Sequence, residues 1–364
     1  QILLQSCLSN TGPFGWHDLF SGNYHNKLKF VIQHYNNIKK LFSNYNIEIA
    51  LLTGKTKSSE KKKILNDLKE GKVNVIIGTH ALISENVVYN NLSLVITDEQ
   101  HRFGVNQRGN LKNKGLTPDI LYMSATPIPR TYALTIYGDM DISSIHTMPS
   151  GRKEVITYLK NNNEIKDVLI LMNEQLKMKH QIYVIAPLIE ESEKISLENV
   201  NELYEKMNKA FGKIYNIGIL HGKLNNEEKE KVMEDFKCNN INILISTTVV
   251  EVGVDVENAT MIVIFDAFRF GLSQLHQLRG RVGRNELQSY CILVSSHETK
   301  RLDILTKTTD GFKVSEEDFK LRGSGDLFGI KQSGDMCFSI ANIKNDFNIL
   351  VKAQQDSLEF LNNK

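Results

Sequence analysis

Short apolar runs alternate along this chain with amphipathic stretches of helical period, and most runs end in a glycine, a hydroxyl or an acid. Continuous apolar runs bounded by polar residues read as strands buried on both faces of a parallel sheet. In the first half such strands fall at 47–52, 72–77, 94–98 and 120–123. Leu28, Val31, Ile32, Tyr35, Ile38, Leu41 and Phe42 recur at helical spacing over 27–42, and a helix over 60–68 is expected to be N-capped by Ser58 and Ser59. Met148-Pro149-Ser150-Gly151-Arg152 then breaks the pattern. A second series follows, with strands at 181–186, 214–220, 241–246, 261–265 and 290–294 and helices at 203–211 and 226–236. Helices alternating with strands in this way predict an α/β chain with two doubly wound parallel sheets, one on each side of the linker. Residues 1–26 show no clear period and stay unassigned, an altered or fragmentary start. The first domain is therefore expected to cover 27–147, the second 148–298, and a C-terminal region 299–364.

Composition narrows the class. Hydrophobic residues make up 41% and charged residues 24% of the 364, the balance of a globular protein rather than a disordered one. No apolar run is long enough to span a membrane and no secretory pattern opens the chain, so a soluble, cytoplasmic protein without membrane partners is expected. The four cysteines, Cys7, Cys238, Cys291 and Cys337, are scattered, which argues against a zinc site or disulfide framework and for packing roles. With a net charge of only +2, any nucleic-acid contact has to come from local clusters.

The sharpest candidate chemistry is Leu94-Val95-Ile96-Thr97-Asp98-Glu99-Gln100-His101, an apolar strand ending in adjacent carboxylates. In open α/β sheets ligands gather beyond the carboxyl ends of strands. In nucleoside triphosphatases, one acid placed there holds Mg²⁺ and its neighbour polarises the attacking water. Gly78-Thr79 follows a strand and suits a backbone phosphate, and Thr247-Thr248 with Gly253 and Asp255, after a strand of the second series, reads either as a core turn or as a group suited to a backbone phosphate and a nucleotide ribose. Arg281 and Arg284, in Gln277-Leu278-Arg279-Gly280-Arg281-Val282-Gly283-Arg284, are three apart. On a helix or its last turn they would share one face and attract an anion such as a triphosphate. Thr53-Gly54-Lys55-Thr56 invites comparison with a phosphate loop, but Ile49 stands where that loop needs its first glycine, and the strand runs on nearly to Gly54. It reads as a turn.

Asp98-Glu99-Gln100-His101-Arg102-Phe103-Gly104-Val105, Ser124-Ala125-Thr126-Pro127-Ile128-Pro129-Arg130-Thr131 and the Gln277–Arg284 stretch together resemble superfamily 2 helicases, and closely the RecG family of bacterial branch-migrating DNA helicases. The resemblance covers roughly 27–345. It implies two RecA-like domains, the first incomplete, followed by a helical-hairpin translocation motif, since Leu321–Gly329 and Lys331–Gly334 resemble that motif. Carried over, it assigns Mg²⁺ to Asp98, water activation to Glu99, and ATP contacts to Asp98, Glu99, Gly253, Asp255, Arg281 and Arg284, with Gln277, Arg281 and Arg284 also counted as catalytic. Gln100, His101, Ser124, Thr126, Arg301, Arg322 and Gln332 would couple hydrolysis to movement. Thr79, Thr247 and Thr248 would hold the DNA backbone, the substrate being branched or forked DNA and the protein a monomer.

Relatives in that family carry a glycine-rich phosphate loop ahead of the region equivalent to Lys27, and an amino-terminal wedge domain. Neither is recognised in this sequence. Three functions follow: a RecG-like ATP-dependent helicase, the related transcription-repair coupling translocase, or a DNA-binding remnant without ATPase activity. His101, Pro187–Glu193 and Met148–Lys153 look more like RecG than like the coupling translocase.

Overall fold

The computed structural model describes residues 2–6, 24–82, 84, 86–98, 118–124, 141, 143–147, 151–187, 193–247, 256–297, 300–322 and 347–362. The chain divides into two compact units, Gln1–Ala125 with Lys223–Glu230, and Thr126–Gly222 with Lys231–Lys364.

The first unit holds a five-stranded, all-parallel sheet made of β1 (Ile2–Ser6), β2 (Ile49–Leu52), β3 (Val75–Gly78), β4 (Leu94–Asp98) and β5 (Asp119–Tyr122), in the order β2-β3-β1-β4-β5. Residues 2–6, which the pattern leaves unassigned, are thus the middle strand: Ile2 lies opposite both Val75 and Leu94, and Ser6 opposite Asp98. Helix α1 (Tyr24–Leu41) lays Val31, Tyr35 and Ile38 on Ile49, Leu51, Val75 and Ile77. Helix α2 (Ser58–Lys69) covers the opposite face, with Ile64, Leu65 and Leu68 against Leu52, Ile76 and Val95. Period-two alternation in the strands meets period-3.6 stripes in the helices, which is what burying both faces requires. Gly78 is obligatory in this sheet, because a Cβ there would lie 2.0 Å from the Leu52 carbonyl oxygen. One expectation fails: α2 begins after Lys57 and its N-cap has no side-chain hydrogen bond, so neither Ser58 nor Ser59 caps it.

The second unit holds a six-stranded parallel sheet of β6 (Ile156–Asn161), β7 (Gln181–Ile185), β8 (Ile217–Leu220), β9 (Ile243–Ser246), β10 (Ala259–Ile264) and β11 (Tyr290–Ser295), in the order β6-β11-β10-β7-β9-β8. Helices α3 (Ile165–Lys177) and α4 (Glu193–Phe211) bury Val168, Met172, Leu176, Val200, Leu203, Met207 and Phe211 against Ile182, Val184, Ile243, Ile245, Met261 and Ile292. On the other face Tyr183 packs on Phe236 of α5 (Asn226–Lys237), with ring centroids 4.9 Å apart. At the amino edge, buried Gln181 donates through Nε2 to the carbonyls of Phe236 and Ile241, joining β7 to the end of α5. The chain continues through α6 (Leu272–Arg279), α7 (Lys300–Lys307), α8 (Gly311–Arg322) and α9 (Phe347–Asn362). Cys291 packs in the core as expected, but Cys238 is exposed. Among the described residues no helix is long and apolar enough to cross a membrane and no group of side chains could hold a metal by His, Cys, Asp or Glu clustering.

Candidate functional site

Because every strand of the first sheet runs the same way, all their carboxyl ends reach one edge, where an α/β sheet presents ligand-binding loops. Ser6, Leu52, Gly78, Asp98 and Tyr122 are the last residues of their strands. Asp98 therefore ends β4 beside Ser6, and Thr79 starts the segment after β3. The Thr79 N–H donates to the Leu52 carbonyl at 3.4 Å and its carbonyl accepts from Leu82 N–H at 3.0 Å. Thr79 is held at the edge, though its residue is almost wholly buried. Ser124 lies exposed at the same edge, just after Met123, whose N–H donates to the Thr97 carbonyl.

The Thr53–Thr56 turn is closed on itself. Thr53 N–H donates to Thr56 Oγ1 at 3.0 Å, Lys55 N–H to Thr53 Oγ1 at 3.3 Å, and Thr56 N–H to the Thr53 carbonyl at 3.2 Å. A phosphate cradle needs several free, convergent N–H groups. These three are spent inside the turn, so Gly54-Lys55-Thr56 does not make one.

In the second unit the arginine motif departs from the expected geometry. Helix α6 stops at Arg279, with Gly280 as C-cap, so Arg281 and Arg284 lie beyond it rather than on one helical face. Arg281 N–H still reaches the Leu278 carbonyl at 3.0 Å, and Arg284 Nε donates to the Gly280 carbonyl at 3.2 Å. Gly283 has φ of 75°, the left-handed region, and an added Cβ would press on Val155 Cγ2 at 2.7 Å. The motif's glycine is thus a backbone requirement of the turn that carries both arginines. Gln277 is half-buried on α6.

The buried cation of the motif is Arg279, which pattern reading passed over. Its Nη1 donates to the Leu305 and Thr308 carbonyls at 2.8 and 2.9 Å and to Thr157 Oγ1 at 3.4 Å, and its Nη2 to His276 Nδ1 at 2.9 Å. It ties α6 to β6 and to the end of α7. Burial, and then the Arg279 charge, push the His276 imidazole down to about 4, against a smaller opposing pull from Asp310. Arg301 has a comparable anchoring geometry: its Nη2 donates to the Phe268 and Phe270 carbonyls at 2.7 and 2.8 Å.

Thr247 follows β9 with a buried Oγ1 that has no hydrogen-bond partner among the described residues, as does Thr97 Oγ1 beside Asp98. Among the described residues at this edge, Thr79, Thr97 and Ser124 carry hydroxyl oxygens, donors of the hard kind that Mg²⁺ prefers. Glu99, Gln100, His101, Thr126, Thr248, Gly253, Asp255 and Gln332 lie outside the described residues, as do the side chains of Asp98 and Arg322.

Three family models match the chain: the helicase conserved C-terminal domain over 160–286, the DEAD/DEAH box helicase over 29–134, and the C-terminal part of domain 3 of the ATP-dependent DNA helicase RecG over 308–364. The chain is 49% identical over 329 residues to a Bacillus subtilis protein named ATP-dependent DNA helicase RecG, covering 89% of this chain and 48% of that one. A Staphylococcus epidermidis protein of the same name is 50% identical over 334 residues, covering 90% and 49%. A solved structure of RecG bound to a three-way DNA junction superposes with a TM-score of 0.70 at 41% identity, covering 96% of this chain and 43% of that one. The chain spans about half the length of the curated relatives it matches.

Proposed function

The chain belongs to the superfamily 2 helicases and is RecG-like over about nine-tenths of its length, and on that premise we propose that it is the motor part of an ATP-dependent DNA helicase that remodels branched DNA, such as stalled forks and Holliday junctions, in recombination and repair. The observation that carries this reading is the 49% identity to a named RecG helicase across both sheet units. ATP and Mg²⁺ are the proposed cofactors. Asp98 would hold the metal, which supplies charge neutralisation on the transferred phosphate. Glu99 would orient the attacking water, Gly253 and Asp255 would meet the nucleotide, Gln277 would support the catalytic motif, and Arg281 with Arg284 would stabilise charge on the γ-phosphate. Thr79, Thr247 and Thr248 are proposed backbone contacts. Their small hydroxyls position a duplex without reading its sequence. Gln100, His101, Ser124, Thr126, Arg301, Arg322 and Gln332 are proposed to couple hydrolysis to movement. A domain division at 147/148 and 298/299, a monomeric state and a cytoplasmic location complete the proposal.

A second reading, DNA binding without turnover, is favoured by the closed Thr53–Thr56 turn, whose N–H groups bond within the turn. DNA-stimulated ATP hydrolysis by this chain, measured beside Glu99→Gln, separates the two. Stimulated turnover that disappears in the variant supports the motor. Junction binding without stimulated turnover supports the second reading.

A further inference from the structure

Five lysines, Lys55, Lys57, Lys61, Lys62 and Lys63, fall within nine residues against a single acid, Glu60, in a chain whose net charge is only +2. All five are exposed, and they surround the start of α2. Among the described residues no ion pair takes up Lys57, Lys61, Lys62 or Lys63, whereas Lys72, Lys160, Lys206 and Lys320 each sit on a carboxylate. For the helix alone this arrangement is unfavourable. Lys57, the N-cap, sets a cation at the positive end of the helix dipole, and Lys61, Lys62 and Lys63 crowd like charge just beyond the first turn, whose one charged residue is Glu60. The patch also begins at the ligand-binding edge of its own sheet: Lys55 and Lys57 follow the carboxyl end of β2, where Thr79 N–H is bonded to the Leu52 carbonyl.

We propose that this lysine patch grips the phosphate backbone of a duplex DNA arm, continuing the contact assigned to Thr79. The proposal rests on the DNA reading above and names where unit one supplies the charge. Lys57 to Lys63 span roughly 9 Å of helix at 1.5 Å per residue. One small anion cannot neutralise charges spread that far. A duplex, with one phosphate charge per ~1.7 Å of its axis, presents several over the same length. The contact carries no sequence information and weakens with salt.

The test is the salt dependence of duplex binding by the full 364-residue chain, followed by fluorescence anisotropy between about 50 and 200 mM salt. The variant is Lys61→Gln/Lys62→Gln/Lys63→Gln, and the control is Lys206→Gln/Lys209→Gln/Lys213→Gln, which removes equal charge from α4 and the turn after it. Each lysine-to-phosphate contact contributes about 0.9 to the slope of log affinity on log salt, so the α2 variant should lose about 2 to 3 from that slope while the control keeps it. An unchanged slope in the α2 variant, whatever its affinity, or an equal loss in the control, overturns the assignment. A wild-type chain that binds no duplex overturns the DNA reading itself and the patch with it.

Discussion

His276 Nδ1 can only accept from Arg279, because a guanidinium has no lone pair to offer, so the imidazole is neutral with its proton on Nε2. Protonating Nδ1 would set a second cation against Arg279 in a buried place. With the folded value near 4 and the unfolded value near 6.5, the unfolded chain takes up the proton first as pH falls. Stability is therefore complete above about pH 6.5 and is lost between there and about pH 4, by about 2 kcal/mol at pH 5. His276→Gln keeps an acceptor for Arg279 and cannot titrate. Urea midpoints at pH 7.5 and 5 should converge in the variant relative to wild type; an identical pH response in both would contradict the buried pair. Gly78 gives a second residue-scale expectation. Gly78→Ala sets a methyl 2.0 Å from the Leu52 carbonyl oxygen, and because that atom is backbone the β2–β3 pairing must shift. A loss on the order of 1–3 kcal/mol in chemical denaturation is expected.

Among the elements, Arg279 shows why a motif has a structural half and a chemical half. Arg279→Met would leave the Leu305 and Thr308 carbonyls without their donor and release the end of α7 from α6 and β6. We expect a destabilisation of about 3 kcal/mol, with hydrogen exchange rising first in α7. Uniform exchange across the second unit would count against this anchoring role. The same scale shows what the sequence pattern could reveal. Strands β3, β7, β9 and β10 are buried along their whole length, so their unbroken apolar runs were plain. Strand β1 offers only Ile2-Leu3-Leu4 before Gln5 and Ser6, and its place in the middle of the sheet depends on partners at 75 and 94 that no local window contains. Edge strand β6 alternates exposed and buried positions and carries Lys160 and Asn161, which hid it after the linker. Arg279 was passed over among the three arginines, because periodicity does not reveal which guanidinium turns inward. The expected common helical face for Arg281 and Arg284 failed because the helix ends at Arg279, with Gly280 as its C-cap, short of both arginines.

At the scale of the whole chain, each unit has its own sheet and its own hydrophobic core. Unfolding should accordingly depart from a single two-state transition, with calorimetric and van't Hoff enthalpies unequal. The duplicated parallel sheets and the acid ending β4 were legible because strand ends leave strong local marks; the turn that carries Arg281 and Arg284 was not, since both were expected on a helix or its last turn. The role of the lysines at α2 was not, since a charged run in sequence is the same whether solvent or a phosphate backbone neutralises it. The proposed engagement of branched DNA by this RecG-like chain is tested most directly by titrating the wild-type chain into a labelled three-way junction at low salt. Saturable binding that weakens steeply as salt is raised is the predicted result. No binding at about 50 mM salt, where phosphate contacts are strong, would contradict it.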